Sequence, residues 1–281
     1  MTKLFYFIPL LLLLIGLALF LVPMQRGLPK GNGIVTNVWA DSKRIETARQ
    51  NGLKYLFVDV GDITKDGALV TPKEEIEEFL SLAKNKGFVL LPYTEVNTEN
   101  YDFSSSRFMA NLIGAHKELV DMGFDGAYLD VEAVQKDKEA DYLRLVRLLR
   151  KELPSGSIIA AYAGFLKDSD NRWEWDHDFY QDVSESVDLI FVAGFDLDAK
   201  DASEYDEYIV SQMEDISSSG YKSYFMLGVP THKKYPETID SAMAAYRKAL
   251  EGLPNDKFLG VAIFSDWTID DGEWETYRRY R

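Results

Sequence analysis

The stretch Gly123-Phe124-Asp125-Gly126-Ala127-Tyr128-Leu129-Asp130-Val131-Glu132-Ala133-Val134 decides how the rest of the chain is read. It has the bulk of a buried strand, yet it alternates. Ala127, Leu129 and Val131 share one face and Tyr128, Asp130 and Glu132 the other, because successive strand residues point to opposite sides. A parallel strand covered on both faces reads as a near-continuous run of Val, Ile and Leu. Two carboxylates on such a strand break the pattern, and burying them without partners is costly. Local conflicts of this kind gather at functional sites.

Outward from this stretch, strands and helices alternate. Strands are expected over 34–39, 55–60, 88–93, the quoted stretch, 157–163, 188–194, 223–229 and 258–264. Helices are expected over 42–51, 73–85, 107–122, 137–153, 178–186, 205–217 and 239–250, with a closing one over 273–280. Pro72 opens a helix, while Gly52, Gly87, Gly123 and Pro154 close others. Eight strand–helix units predict an α/β fold, a (β/α)8 TIM barrel of about 250 residues over 33–281. No Gly-x-Gly-x-x-Gly and no Walker-type loop occurs, which argues against an open nucleotide-binding sheet and implies no cofactor.

Residues 4–22 are apolar throughout, with Lys3 ahead and Arg26 and Lys30 behind. About twenty apolar residues suffice to cross a bilayer as a helix. No Ala-x-Ala pattern follows, so an uncleaved signal anchor over 1–23 is favoured over a cleaved signal peptide, with a linker over 24–32. The expected location is the cell membrane, single-pass, with the C-terminal domain outside the cytoplasm, or secretion if the segment is cleaved. The 281 residues hold 46 acids against 31 Lys and Arg, a formal charge of −15. Such a field disfavours nucleic acid as a partner. With no Cys, disulfides, thiolate chemistry and Cys-ligated metals are excluded. His116, His177 and His232 are scattered without ligand spacing, so no metal is expected.

In barrels of this type the chemistry lies at the C-terminal ends of the strands. Those ends carry Trp39 and Asp41, Asp59 and Asp62, Tyr93 and Glu95, Asp130 and Glu132, Tyr162, Phe195 and Asp196, His232, and Asp266 and Trp267. Acids and aromatics suit a sugar, whose ring faces stack on aromatics and whose hydroxyls bond carboxylates. Asp130 and Glu132 lie about 6–7 Å apart along one strand face. Two acids that near cannot both ionise freely, so one pKa rises. A carboxylic acid still protonated near neutral pH is what leaving-group protonation needs. Glu132, longer and nearer the strand end, is the better acid, and Asp130 the better partner. The plainer alternative is an inward ion pair, but no strand interior carries an obvious cation.

Other features are weaker. Asp196, Asp198 and Asp201 lack the Gly and terminal Glu of a Ca²⁺ loop. His232, Lys233 and Lys234 read as a solvated basic loop. The segment Asn171-Arg172-Trp173-Glu174-Trp175 fits either a rim platform for sugar rings or packing on the barrel.

Asp125-Gly126-Ala127-Tyr128-Leu129-Asp130-Val131-Glu132 resembles the Asp-Gly-x-Asp-x-Asp-x-Glu signature of glycoside hydrolase family 18, the chitinase-like barrels. Ala193-Gly194-Phe195-Asp196 is similar to that family's strand-six Tyr-Asp, and Leu227-Gly228-Val229-Pro230-Thr231 to its Gly-x-Pro-x. Gly260–Phe264 with Ser265-Asp266-Trp267 is similar to its last strand, particularly in an uncharacterised bacterial subgroup. The resemblance implies an N-acetylhexosamine-containing glycan as substrate. It implies that Glu132 protonates the glycosidic oxygen, while Asp130 orients the substrate's own acetamido carbonyl for attack, with Asp196 in support. Substrate contacts are expected from Trp39, Asp59, Tyr93, Glu95, Tyr128, Tyr162, Phe195, Phe264 and Trp267. The pattern departs at Tyr128, which replaces the first inner Asp, and at Phe195, which replaces a Tyr. Phe264 stands where a floor Trp is usual. Two other readings stay open: a catalytically silent carbohydrate-binding barrel, and a galactosaminidase-type glycosidase pairing Asp130 with a second carboxylate such as Glu95.

Overall fold

The computed structural model describes residues 27–132, 134–164, 175–231, 233–254 and 256–281. Among the described residues nine strands and eight α-helices are present. The strands are β1 (Gly33–Asn37), β2 (Tyr55–Asp59), β3 (Val89–Tyr93), β4 (Glu95–Asn97), β5 (Gly126–Glu132), β6 (Ile158–Ala163), β7 (Leu189–Val192), β8 (Tyr224–Pro230) and β9 (Phe258–Phe264). The helices are α1 (Ser42–Gln50), α2 (Lys73–Ala83), α3 (Ser106–Met122), α4 (Glu139–Glu152), α5 (His177–Ser184), α6 (Ala202–Ser218), α7 (Ile239–Gly252) and α8 (Asp271–Tyr280). All strand pairs are parallel, in the order β3-β2-β1-β9-β8-β7-β6-β5-β4.

The two edge strands of that order are consecutive pieces of one chain, broken at Thr94. β3 pairs with β2, and β4 pairs with β5. The Asp125 amide donates to the Leu90 carbonyl at 2.9 Å, and the Asp125 carboxylate accepts the Leu90 N–H at 2.7 Å. Counting β3 and β4 as one broken strand restores the expected eight, and the sheet nearly closes into a TIM-like barrel. The sequence reading ended its third strand at 93 and missed β4.

The alternation on β5 sorts its side chains as the sequence suggests. Ala127, Leu129 and Val131 join the layer between sheet and helices, whereas Tyr128 joins a separate cluster with Tyr55, Phe57, Tyr93 and Phe191. That second cluster fills the barrel lumen. Gly126 permits the close approach of β6, since a Cβ there would lie 1.8 Å from the Ile158 carbonyl oxygen. The Asp-Gly pair that opens the strand therefore has a structural task at each residue.

Helix starts follow local capping chemistry. Asp41, Ser105, Asp176 and Asp201 each accept an N–H from the first turn, and Thr238 with Ser241 and Asp270 with Glu273 form reciprocal boxes. The Asp201 cap explains why α6 begins three residues before the expected 205.

The expectation of a single-pass membrane protein is corrected. Among the described residues no helix is long and apolar enough to cross a membrane, and the stretch 1–23 on which the expectation rested lies outside them. Membrane anchoring, and the extracytoplasmic placement drawn from it, are withdrawn.

Candidate active site

The strand ends bring carboxyls from three neighbouring strands to one mouth. Glu95 on β4 is in register with Asp130 on β5, and Asp59 on β2 is in register with Tyr93 on β3. Neighbouring strands lie about 4.8 Å apart, so Asp59, Tyr93, Glu95 and Asp130 form a contiguous patch. Glu132 stands one inward step above Asp130.

Asp130 is only 9% exposed, and its Oδ1 is buried without a hydrogen-bond partner. Among the described residues no Lys or Arg reaches it. Among those residues the ion-pair alternative is therefore not found. Burial pushes its pKa well above the usual carboxylate range, and the like charges of Glu132, Glu95 and Asp59 push the same way. The side chain of Glu132 is open to solvent by area, yet protein surrounds the mouth. That partial desolvation raises its pKa first, followed by Glu95 and Asp196. Asp59, half-buried, is raised by burial although its Oδ1 accepts the Gly61 N–H at 2.8 Å. Both acids of the pair thus hold protons to higher pH than free carboxyls.

Aromatic side chains floor and wall this mouth. Tyr128 is buried in the lumen against Phe57 at 5.1 Å and Tyr93 at 5.2 Å, both edge-on. Tyr93 is buried beneath Asp130, and burial raises its hydroxyl pKa. Tyr162 on β6 stacks on Phe191 at 6.1 Å. Its hydroxyl is held protonated by burial and by the charges of Glu132, Asp130 and Asp196. Phe195 stacks on Phe264 at 4.8 Å, and Trp267 meets Phe264 edge-on at 6.2 Å. Gly228 leaves room for that wall, since a Cβ there would fall 2.8 Å from Phe195. Trp267 is 46% and Trp39 55% exposed. The Trp39 indole N–H donates to Glu75 at 2.6 Å, which fixes the ring at the rim.

Asp196 lies further out. Its side chain is 71% exposed and faces Lys234 at 3.9 Å, so it acts on Glu132 as a nearby charge rather than a direct partner. Asp198 meets the same lysine at 3.7 Å, and Lys233 pairs with Asp270. His232 and residues 171–174 fall outside the described residues. Among the described residues no group of three His, Cys, Asp or Glu converges to hold a metal ion.

Two residues that shape the site escaped the sequence reading. Arg44, from α1, binds Asp266 through both Nε and Nη2, and Thr36 donates to the same carboxylate at 2.6 Å. This pair pins the segment between Phe264 and Trp267. Glu237, 1% exposed, accepts the backbone N–H groups of Asp196 at 2.5 Å and Leu197 at 2.9 Å, and so holds the loop after β7. The Pro236-Glu237-Thr238 sequence offers the one hint, as a charged residue beside a helix cap.

No family model matches the sequence, and no curated protein sequence matches it. Solved structures do match. A chitinase from Rhizomucor miehei superposes with a TM-score of 0.66 at 15% identity, covering 90% of this chain and 100% of that one. A family 18 chitinase from Cycas revoluta, in complex with allosamidin, gives 0.67 at 12% identity over 89% and 99%. The spore cortex-lytic enzyme SleL of Bacillus cereus gives 0.61 at 13% identity over 90% and 75%. Identities this low speak to architecture, and on that level the agreement is consistent: the chain shares the barrel fold of these chitinases and of the spore cortex-lytic enzyme.

Proposed function

We propose that this chain is a glycoside hydrolase cleaving an N-acetylglucosamine-containing glycan, with Glu132 as acid and then base. The observation that carries the reading is Asp130 Oδ1, a buried carboxyl oxygen without a partner, beside a Glu whose pKa is raised. A buried polar atom left unpaired is destabilising, and a ligand N–H at this position would satisfy it. Glu132, in its protonated form, gives its proton to the glycosidic oxygen as the bond to the anomeric carbon breaks. The acetamido carbonyl oxygen attacks that carbon from the opposite face, its N–H held by Asp130 Oδ1. Phe195 offers that carbonyl no hydroxyl, and in this reading Tyr162, kept protonated, donates to it instead. Glu132, now a carboxylate, takes a proton from water as the water opens the intermediate, and retention results. Phe195, Phe264 and Trp267 supply the stacking wall.

The register of Glu95 beside Asp130 also favours a second reading, in which those two carboxylates work as acid and nucleophile. Full-length protein is assayed on chito-oligosaccharides with chromatographic detection of products and their anomers. Glu132→Gln is expected to lower kcat by roughly 10²- to 10⁴-fold, the usual worth of general acid catalysis. A larger loss in Asp130→Asn and Glu95→Gln than in Glu132→Gln supports the second reading. Glycan binding without turnover by the native chain overturns both and leaves a binding barrel.

A further inference from the structure

Phe195 belongs to the stacking wall, yet its backbone lies outside any helix or strand, in the 193–198 segment that follows β7. Asp196 and Asp198 have φ of 56° and 52° there. Left-handed backbone at a residue with a side chain costs free energy, and it persists only where the surroundings over-determine it. Two buried side chains do so. Tyr205 of α6 is fully buried and donates its hydroxyl to the Gly194 carbonyl at 2.6 Å. Glu237 accepts the Asp196 N–H on Oε2 and the Leu197 N–H on Oε1. A carboxylate is costly to bury, and both oxygens of this one are committed to a single loop. The peptide groups on either side of Phe195 are thus each held by a side chain from outside the segment. Burial, and then the charge of Glu237, raise the Tyr205 pKa, so the hydroxyl stays a donor. The loop that carries Glu237 also sets Lys234 opposite Asp196 and Asp198, with Lys234 and Glu237 paired in an antiparallel bridge.

We propose that Tyr205 and Glu237 are positioning residues for glycan binding, which hold the two peptide groups flanking Phe195 and so set its ring in the stacking wall. The inference rests on the glycosidase reading for the choice of ligand. Both side chains are buried and neither is a sugar contact. They act through Phe195, whose ring stacks on Phe264 at 4.8 Å and meets Phe191 edge-on at 6.5 Å. A stacking wall works only while its ring planes match the sugar face. A misplacement of about 1 Å caused away from the chemistry costs up to roughly 10²-fold. Releasing the Asp196 or Leu197 amide lets the left-handed turn relax, and the peptide next to Phe195 turns with it. The loss then appears in affinity for the glycan and vanishes when the Phe195 ring is absent. A tie that only stabilises the fold has neither signature.

The test is calorimetric binding of chitohexaose to full-length Glu132→Gln, so that turnover does not enter. Adding Glu237→Gln keeps the side-chain size but leaves one acceptor oxygen for two N–H groups. It is expected to weaken binding roughly ten-fold, about 1.4 kcal/mol. Tyr205→Phe removes only a hydroxyl, and is expected to weaken binding about three-fold. On a Phe195→Ala background either substitution should cost less than about two-fold, since effects routed through one residue are not additive. Unchanged affinity in the two folded variants overturns the proposal, as does an undiminished loss when Phe195 is already Ala. If Glu237→Gln fails to fold, Tyr205→Phe decides by the same two comparisons. If the native chain cleaves chitohexaose while the variants bind it unchanged, the glycosidase reading stands and the brace falls. Chitohexaose that binds none of the chains overturns both.

Discussion

Arg44→Met tests whether the Arg44–Asp266 pair holds the aromatic wall. Methionine keeps most of the arginine stem and removes the charge and the fork of donors. The side chain of Asp266 is 7% exposed and that of Arg44 27%. This is not a surface pair worth a few tenths of a kcal/mol. Removing one partner of a fully buried pair destabilises by about 3–5 kcal/mol, because the other charge is left unpaired. Here Thr36 still donates to Asp266 at 2.6 Å, and Arg44 is partly wet. The expected loss is therefore smaller, about 2–3 kcal/mol near neutral pH. For a domain this size that corresponds to roughly 5–10 °C in Tm.

The pH dependence separates this cause from lost packing. Burial already raises the Asp266 pKa, against the opposing effects of Arg44 and Thr36. Without Arg44 it rises further. A carboxyl whose folded pKa exceeds its unfolded value favours the folded state most when protonated, and that advantage is lost as pH climbs through the folded value. The Arg44→Met deficit should thus be small below the unfolded value of about 4 and complete near pH 7. Denaturant unfolding of native and variant chains at both pH values measures it. Adding Asp266→Asn should recover most of the neutral-pH loss. An equal deficit at both pH values refutes the electrostatic account, and so does a neutral-pH loss under about 0.5 kcal/mol.

Three further expectations follow from the site. Glu95→Gln removes a like charge that raises the Glu132 pKa; if protonated Glu132 is the acid, the alkaline limb of kcat/KM moves to lower pH, and an unmoved limb separates Glu95 from the acid. Glu237→Ala deletes two charge-assisted bonds to the Asp196 and Leu197 amides, each worth about 1.5–3 kcal/mol; hydrogen exchange should speed at 194–198, and unchanged protection there counts against the strut. Tyr128→Asp, which restores the acid of the family 18 signature, should destabilise the chain by about 3–5 kcal/mol, the range for truncating a buried aromatic; a gain in activity at unchanged Tm would contradict the packing described here.

That last substitution shows where sequence reading succeeds and where it stops. Asp130 and Glu132 were legible because their chemistry conflicts with their own strand, and the conflict is visible within seven residues. Eight strands were legible because apolar periodicity is local; the Asp201 cap is local too but was not read as one, and α6 was expected three residues late. The Arg44–Asp266 pair was not, since 222 residues separate the partners and Arg44 looks like any polar residue on an outer helix. The break at Thr94 was hidden too, because Leu91-Pro92-Tyr93-Thr94-Glu95 carries no turn signal at the point where β3 leaves β2 and β4 joins β5. Tyr128 lies between these cases. In the signature it registers as a missing acid. In the barrel it is a lumen aromatic with Phe57, Tyr93 and Phe191 within 6 Å. A carboxylate there would have no cation, a cavity around it, and Asp130 as its nearest charge. The departure is therefore a repacking of the lumen, above which Asp130 Oδ1 is buried without a hydrogen-bond partner. The same substitution that weakens the likeness to the signature thus stands on the same strand face as an unmet acceptor, the oxygen to which the proposed glycan N–H would donate.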